Sequence, residues 1–447
     1  MSAQFFVSIV VITVILHAIL LACAYLILLE RKVAAWTQNR LGPNRTNFSF
    51  GLYDIWNRIP GLRWFMSKRH FGLGQALADG LKLFVKEDYT PPHVDRLLFL
   101  LAPAIVIVPA IIGWAVIPWG GTYVFPGLTL PLIGEIPAGV VTIAAAPINL
   151  ALIYLLAVSS LAVYGVVLAG YASNNKYSFL GGLRATAQML SYEIPMGLCV
   201  LIVILTFATT DADLLVNLQG GAGGAGAWGI FLHPFLAIIF FIAILAETNR
   251  APFDLAEAEQ ELVGGFHTEY GSMKWALFFL AEYMHMITAC AFFSIMFLGG
   301  WDLLPFVAVF PLVTESLGVV LAKTAILAGK VGLLLFVMMW IRWTLPRLRF
   351  DQLMGLAWRG LIPLCIALLL VTGFVQFMKW PHWTLPIANV AVALVAMWIG
   401  PRLPVGRSPN RKVRLAGSRF YGLEEEAGEA TLPPAEPARE LEPAGTR

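Results

Sequence analysis

From Phe5 to Leu29 the chain carries not one Asp, Glu, Lys or Arg. A helix needs roughly 20 apolar residues to cross the hydrocarbon core of a bilayer, so this run alone is long enough. Such runs recur along the chain. We place spans at about 5–29, 97–118, 147–170, 188–209, 230–246, 275–299, 320–341, 361–379 and 384–400. The second contains Pro103 and Pro109, and neighbouring helices can absorb such kinks. Hydrophobic residues make up 59% of the 447 and mean hydropathy is +0.76, against about 45–50% apolar in a soluble domain. The expected fold is therefore all-α, a polytopic membrane helix bundle. Eight transmembrane helices form its core, with a ninth after them and one interfacial amphipathic helix.

Residues 1–380 read as the core membrane domain and 381–402 as an extra C-terminal helix. Residues 403–447, rich in Pro, Glu, Ala and Arg, read as a disordered tail. The N-terminal run has no basic stretch ahead of it, so it is expected to be a retained span rather than a cleaved signal.

Lys and Arg set the expected orientation. Eleven of the thirty lie between Arg31 and Arg96, and eight follow the ninth span. Arg342, Arg347, Arg349 and Arg359 follow the seventh, whereas Lys379 alone falls to the opposite side. By the positive-inside rule the basic loops and the tail are cytoplasmic and the N-terminus is outside. Cys23, Cys199, Cys290 and Cys365 fall inside spans and form no CxxC pair, which gives no zinc or iron–sulfur spacing. GGAGGAG at 220–226 contains a formal GxGxxG, but it lacks strand–turn–helix context and lies on the outer side. Neither nucleotide nor nucleic-acid binding is expected.

Charge is scarce, at 13% of residues, so its placement is informative. The stretch AETNRAPFDLAEAEQELVGGFHTEY, 246–270, holds Glu247, Asp254, Glu257, Glu259, Glu261 and Glu269. Carboxylates crowded beside a membrane resist ionising together, because desolvation and like charge both raise their pKa values. Such a loop can exchange protons near neutral pH; a merely solvated acidic surface is the plainer reading. Asp254, Glu257 and Glu261 share a face if that stretch is helical.

Within the spans, Glu193 (SYEIPMG) and Glu282 (FFLAEYMHM) join Glu247 at a similar depth. A charge in hydrocarbon costs at least about 2.5–3.5 kcal/mol, so three acids on successive spans suggest a wet polar path. Lys323 and Lys330 share a face of the seventh span, with a structural ion pair as the simpler account. His285 lies one turn from Glu282, where the two could bond or the His could be structural. Phe279 and Tyr283 either pack helices or stack on a quinone ring.

After the first span come Glu30, Arg31, Lys32, Arg40 and Arg45. Residues 72–88, GLGQALADGLKLFVKED, put Leu73, Leu77, Leu81 and Phe84 on one stripe. That predicts an amphipathic helix in the interface. It is either an anchor or one wall of a portal for a lipid-soluble molecule.

ERKVAAWTQNRLGPNR, ADGLKLFVKED, SYEIPMGL, AETNRAPFDLAEAEQELVGGFHTEY and FFLAEYMHM, in that order, strongly resemble one family. It is the quinone-site membrane subunit of respiratory complex I, the proton-pumping NADH:quinone oxidoreductase (the H subunit in bacteria, subunit 1 in mitochondria). The resemblance covers about residues 5–380. It implies eight spans plus an amphipathic helix, and a quinone portal built from the first span, that helix and the sixth span. On that resemblance Glu30, Arg31, Trp36 and Arg40 line the entrance and lower chamber, with Phe279 and Tyr283 nearby. Glu193, Glu247, Asp254, Glu257, Glu259 and Glu282 match an acidic path linking the chamber to proton-pumping subunits.

The implied partners are the peripheral-arm quinone-site and iron–sulfur subunits, the small membrane subunits leading to the antiporter-like ones, and the bilayer. Quinone, ubiquinone or menaquinone, is the implied substrate, with no metal, flavin or iron–sulfur cluster in this chain. Arg outnumbers Lys two to one, which points to a GC-rich bacterial genome, a bacterial plasma membrane and menaquinone. The Thr46–His70 insertion, the ninth span and the tail depart from the family pattern. Competing readings are the homologous subunit of an energy-converting membrane hydrogenase, a stand-alone proton-coupled transporter and a structural anchor. A transporter should show inverted repeats, and none is apparent.

Overall fold

The computed structural model describes residues 2–47, 70–130, 134–220, 226–256, 263–307, 309–311 and 313–402. Glu257, Glu259, Glu261, most of the Thr46–His70 insertion, Gly221, Gly223 and the tail beyond Arg402 lie outside these residues. The chain divides into two compact units, Met1–Ile399 and Gly400–Arg447. Of the second, only a single turn at Gly400–Arg402 is described.

The first unit is a helical bundle. Its helices are α1 (Ala3–Thr37), α2 (Gly74–Val85), α3 (Arg96–Gly113), α4 (Ala151–Ala172), α5 (Lys176–Phe207), α6 (Ala212–Gln219) and α7 (Pro234–Glu247). They continue as α8 (Ser272–Phe297), α9 (Leu317–Thr344), α10 (Phe350–Phe377) and α11 (Thr384–Ile399). Seven of these helices are long and apolar enough to cross a membrane, and α7 and α11 are shorter apolar helices. All nine expected spans thus have a helix. α1 runs two turns beyond its apolar run, so Glu30, Arg31 and Trp36 lie on a helix rather than in a loop.

Local chemistry explains the ends. Asp95 caps α3 by accepting from the amides of Leu97 and Leu98, and Asn175 caps α5 by accepting from Tyr177. These side chains satisfy donors that a helix start leaves without partners. The centre of the bundle is α3, α4, α5, α7 and α8. α3 and α4 approach closely because Gly165 has no side chain: a Cβ there would lie 2.3 Å from Val106 Cγ2. Small residues at helix contacts allow this approach in membranes. α1 buries one stripe and exposes Phe5, Ile9, Val14 and Leu21, as a lipid-facing helix should. α10 contains a π-helical turn at Leu356–Leu361. Tyr192 of α5 donates to the Leu353 carbonyl ahead of that turn, and Trp358 within it donates to Ser191.

Loops gather at two ends of the bundle. At one end, Asp95 N bonds Ala172 O, Asn174 Nδ2 bonds His93 O, and Ser272 Oγ donates to the carbonyls of Leu83 and Lys86. At the other end lies a small sheet, formed by β1 (Thr122–Phe125), β4 (Gly139–Thr142) and β5 (Val313–Thr314). β1 is antiparallel to β4, with Thr122 opposite Thr142, and parallel to β5. A hairpin of β2 (Leu128–Leu130) and β3 (Gly134–Ile136) sits between β1 and β4 in sequence. These strands were not foreseen, since two to four residues are too few to display a period of two.

α2 is the expected amphipathic helix. It packs on α1 and α8, and leaves Leu77, Leu81 and Phe84 exposed. Apolar side chains exposed in a row beside a bundle suit the bilayer interface.

Candidate functional site

Where α1 leaves its apolar stretch, Glu30 is buried at 7% exposure. It collects partners from three other segments. The Tyr283 hydroxyl of α8 and the Arg342 guanidinium of α9 both donate to it. Arg250, in the loop after α7, donates to both of its oxygens at 3.4 Å. Arg250 Nη2 also lies 3.8 Å from Glu282 Oε2, and its guanidinium sits 4.4 Å over the Tyr283 ring. Two carboxylates and two guanidiniums thus meet in one buried cluster. Desolvating them is costly, and only close, well-bonded geometry offsets the cost.

Arg250 is held in place by its loop. Gln188 of α5 donates to the carbonyls of Ala246 and Phe253 and to Asn249 Oδ1, at 2.7, 2.6 and 3.2 Å. The loop is tied further on as well. Arg347 bonds the buried Asp254 at 2.8 Å, and Leu348 N bonds Pro252 O at 3.1 Å.

Two spaces flank the cluster, with α8 as the wall between them. A pocket of about 580 Å³ is lined by Glu30, Arg31, Arg40, Phe279, Tyr283 and Arg342, among others. A smaller cavity of about 60 Å³ is lined by Glu247, Glu282, His285, Asn249, Ser159 and their neighbours. It has room for a few waters and polar groups to hold them. Helical spacing produces the partition. Phe279 and Tyr283, four residues apart, face the pocket, whereas Phe278, Glu282 and His285 face the cavity. A third space, an apolar groove of about 710 Å³, runs between α1 and α9.

The expected residues sort accordingly. Glu30, Arg31, Arg40, Phe279 and Tyr283 share the pocket. Arg31 is half exposed and pairs with Asp79 of α2 at 2.9 Å. Trp36 lines the apolar groove instead and is 55% exposed. Glu282 and Glu247 share the cavity, and Glu193 of α5 is close enough to Glu247 for their charges to interact. Asp254 stands apart, on Arg347. One face of Tyr283 is occupied by Arg250. No hydrogen bond joins His285 to Glu282: among the described residues, nothing reaches the His285 Nε2.

Sequence reasoning missed Arg250, Arg342 and Arg347 as site residues, having read them only for orientation. The available signal was that buried acids need cationic partners, and Arg250 lies inside the acidic stretch itself.

Lys323 and Lys330 sit elsewhere. Lys323, fully buried, donates to Pro311 O and Thr314 Oγ1 at 3.0 and 3.2 Å. Lys330 donates to the carbonyls of Leu298 and Asp302 and lies 4.2 Å over the Trp228 ring. Both therefore bind the loop between α8 and α9. Nearby, burial raises the pKa values of Asp302 in that loop and Asp213 of α6 above the usual carboxylate range. Among the described residues, no group of three or more His, Cys, Asp or Glu could hold a metal ion.

A family model described as NADH dehydrogenase matches residues 10–373. The chain is 43% identical over 366 residues to the first of two H subunits of the NADH-quinone oxidoreductase of Geobacter sulfurreducens, covering 81% of this chain and 93% of that protein. It is 42% identical over 378 residues to the second such H subunit of Koribacter versatilis, covering 83% and 98%. Against the NADH-quinone oxidoreductase H subunit of Flavobacterium johnsoniae it is 39% identical over 372 residues, covering 82% and 94%.

Proposed function

The chain belongs to the NADH dehydrogenase family, and from that premise we propose that it is the membrane subunit forming the quinone chamber of a proton-translocating NADH:quinone oxidoreductase. Its relatives are named as the H subunit of NADH-quinone oxidoreductase. The reading places it in a multi-subunit complex in a bacterial plasma membrane. Peripheral-arm subunits deliver electrons, and membrane subunits carry the pumping onward. The basic loops and tail face the cytoplasm and the N-terminus faces outside. Menaquinone is the proposed substrate.

One observation carries the mechanism. Arg250 is shared between Glu30, which lines the pocket, and Glu282, which lines the cavity. A quinone headgroup in the pocket meets Arg31, Arg40 and Arg342 as donors. Two-electron reduction puts negative charge there, and the product needs two protons. At an effective dielectric near 20, unit charges 4 Å apart interact by about 4 kcal/mol. New negative charge therefore competes with Glu30 for Arg342 and Arg250. A carboxylate that loses its cation gains a proton more readily. The shared guanidinium transmits that change through the α8 wall to Glu282, then to Glu247 and Glu193 along the cavity. Asp254 and its Arg347 lie at the loop end of the same route, with Glu257 and Glu259 assigned to it by resemblance alone.

In the assembled complex, Glu282→Gln and Asp254→Asn are each expected to lower coupled quinone reduction and pumping about tenfold, roughly the 1.4 kcal/mol of one lost charge interaction. NADH oxidation by a soluble acceptor should persist. Normal turnover and pumping in the assembled double variant would defeat the assignment.

A further inference from the structure

We propose that His285 relays protons between Glu282 and Glu247 across the small cavity. The inference rests on the acidic path proposed above and adds a member to it. His285 is one helical turn from Glu282, on the face of α8 that lines the cavity, and Glu247 of α7 lines the same space. Its Nε2 is buried and has no protein partner among the described residues. Buried polar atoms are nearly always bonded, so an exception calls for an account.

The chain supplies its own contrast. His233, also buried, has both ring nitrogens engaged, one by Thr206 at 2.9 Å and the other by Asn389 at 3.0 Å. That is a structural histidine tying α5, α7 and α11 together. His285 is held by no such pair, and its ring borders a cavity of about 60 Å³, enough for bridging waters.

The surroundings leave the ring few other roles. On α8 it faces Glu282, from α7 Glu247, and beyond Glu247 lies Glu193 of α5. Arg250 is the cation beside Glu282 and is engaged by Glu30 and Tyr283 as well. α3 and α4 contribute Val106, Ser159, Ala162 and Val166 to the cavity, none of them charged.

Imidazole can take a proton on one nitrogen while releasing one from the other. In the relay, Glu282 gives its proton to one ring nitrogen, directly or through water. The other nitrogen gives its proton to Glu247. One proton moves, the ring ends in the opposite tautomer, and a rotation about its side-chain bonds restores it.

The test uses the intact complex in proteoliposomes with His285→Gln and, separately, His285→Phe. Quinone reduction and protons moved per electron pair are measured in H2O and D2O. Both variants are expected to turn over at least fivefold more slowly, with a larger solvent isotope effect than the parent. NADH oxidation by a soluble acceptor, unchanged, reports assembly. Parental turnover in both variants overturns the proposal. Parental turnover in His285→Gln alone also overturns it, because an amide keeps a hydrogen bond but carries no proton. That variant decides if His285→Phe does not assemble. Glu282→Gln and Glu247→Gln run alongside. If they are slow while the His285 variants are normal, His285 alone is removed. If they are normal, the acidic path falls, and the relay with it.

Discussion

Arg250 holds the pocket and the cavity together at the scale of single residues. It bonds Glu30, neighbours Glu282 and covers the face of Tyr283. Removing one partner from a buried charge cluster costs about 3–5 kcal/mol, because the remaining charges stay desolvated. Arg250→Gln is therefore expected to lower the thermal midpoint of the solubilised complex or reduce its assembled yield. Arg250→Lys should recover little of that loss. A point charge on a flexible stem cannot reach two carboxylates and stack on a ring at once. Full recovery by lysine would mean that charge alone matters there and that the planar, shared geometry does not. Tyr283 shows how the same residue was half legible. Its aromatic character was readable as a candidate for quinone contact. Its hydroxyl bond to Glu30 depends on a residue far away in sequence.

Helices and loops divide the labour. α8 serves as a partition because its residues four apart face the pocket while those between them face the cavity. α9 has two ends with different tasks. Arg342, near its end, bonds Glu30, while Lys323 and Lys330, nearer its start, bond the loop between α8 and α9. The two lysines thus have local partners that a structural role requires. Lys330→Met is expected to speed hydrogen exchange across Gly299–Thr314 while leaving quinone turnover within about twofold of the parent, since local loosening of a loop seldom reaches a rigid core. A drop in turnover as deep as that of Glu282→Gln would instead place Lys330 on the proton route. α11 is bound by more than apolar contact, through Asn389 to His233. It lies beyond residue 373, where the family match ends, so its docking is a feature of this chain rather than of the matched core.

For the whole molecule, the two ends of the bundle differ in kind. Short bonded loops, α2 and the acidic loop gather at one end, and the small sheet with α6 at the other. The Lys and Arg distribution assigns the first end to the cytoplasm. Single-cysteine labelling in intact cells should modify a cysteine placed at Ser2 from outside, and one placed at Asn174 only after the membrane is opened. The opposite pattern would invert every sidedness statement, including the direction of proton uptake. Span number, the amphipathic helix and the family were all readable, because each is written in local periodicity or in contiguous motifs. α1 overran its apolar limit because helix geometry does not stop where hydrophobicity does. The strands were invisible because they are too short to show a pattern.

By itself the sequence determined that the chain is a membrane helix bundle with scarce charge concentrated beside the fifth and sixth spans. Hydrocarbon tolerates only long apolar helices, and every departure from that rule stands out in a linear reading. Only the tertiary structure decided which charges meet. Glu30 bonds Arg250, 220 residues away, and Arg342, 312 residues away. Ion pairs form between groups brought near in space, so nothing in the local spacing of the acids names the arginines that hold them.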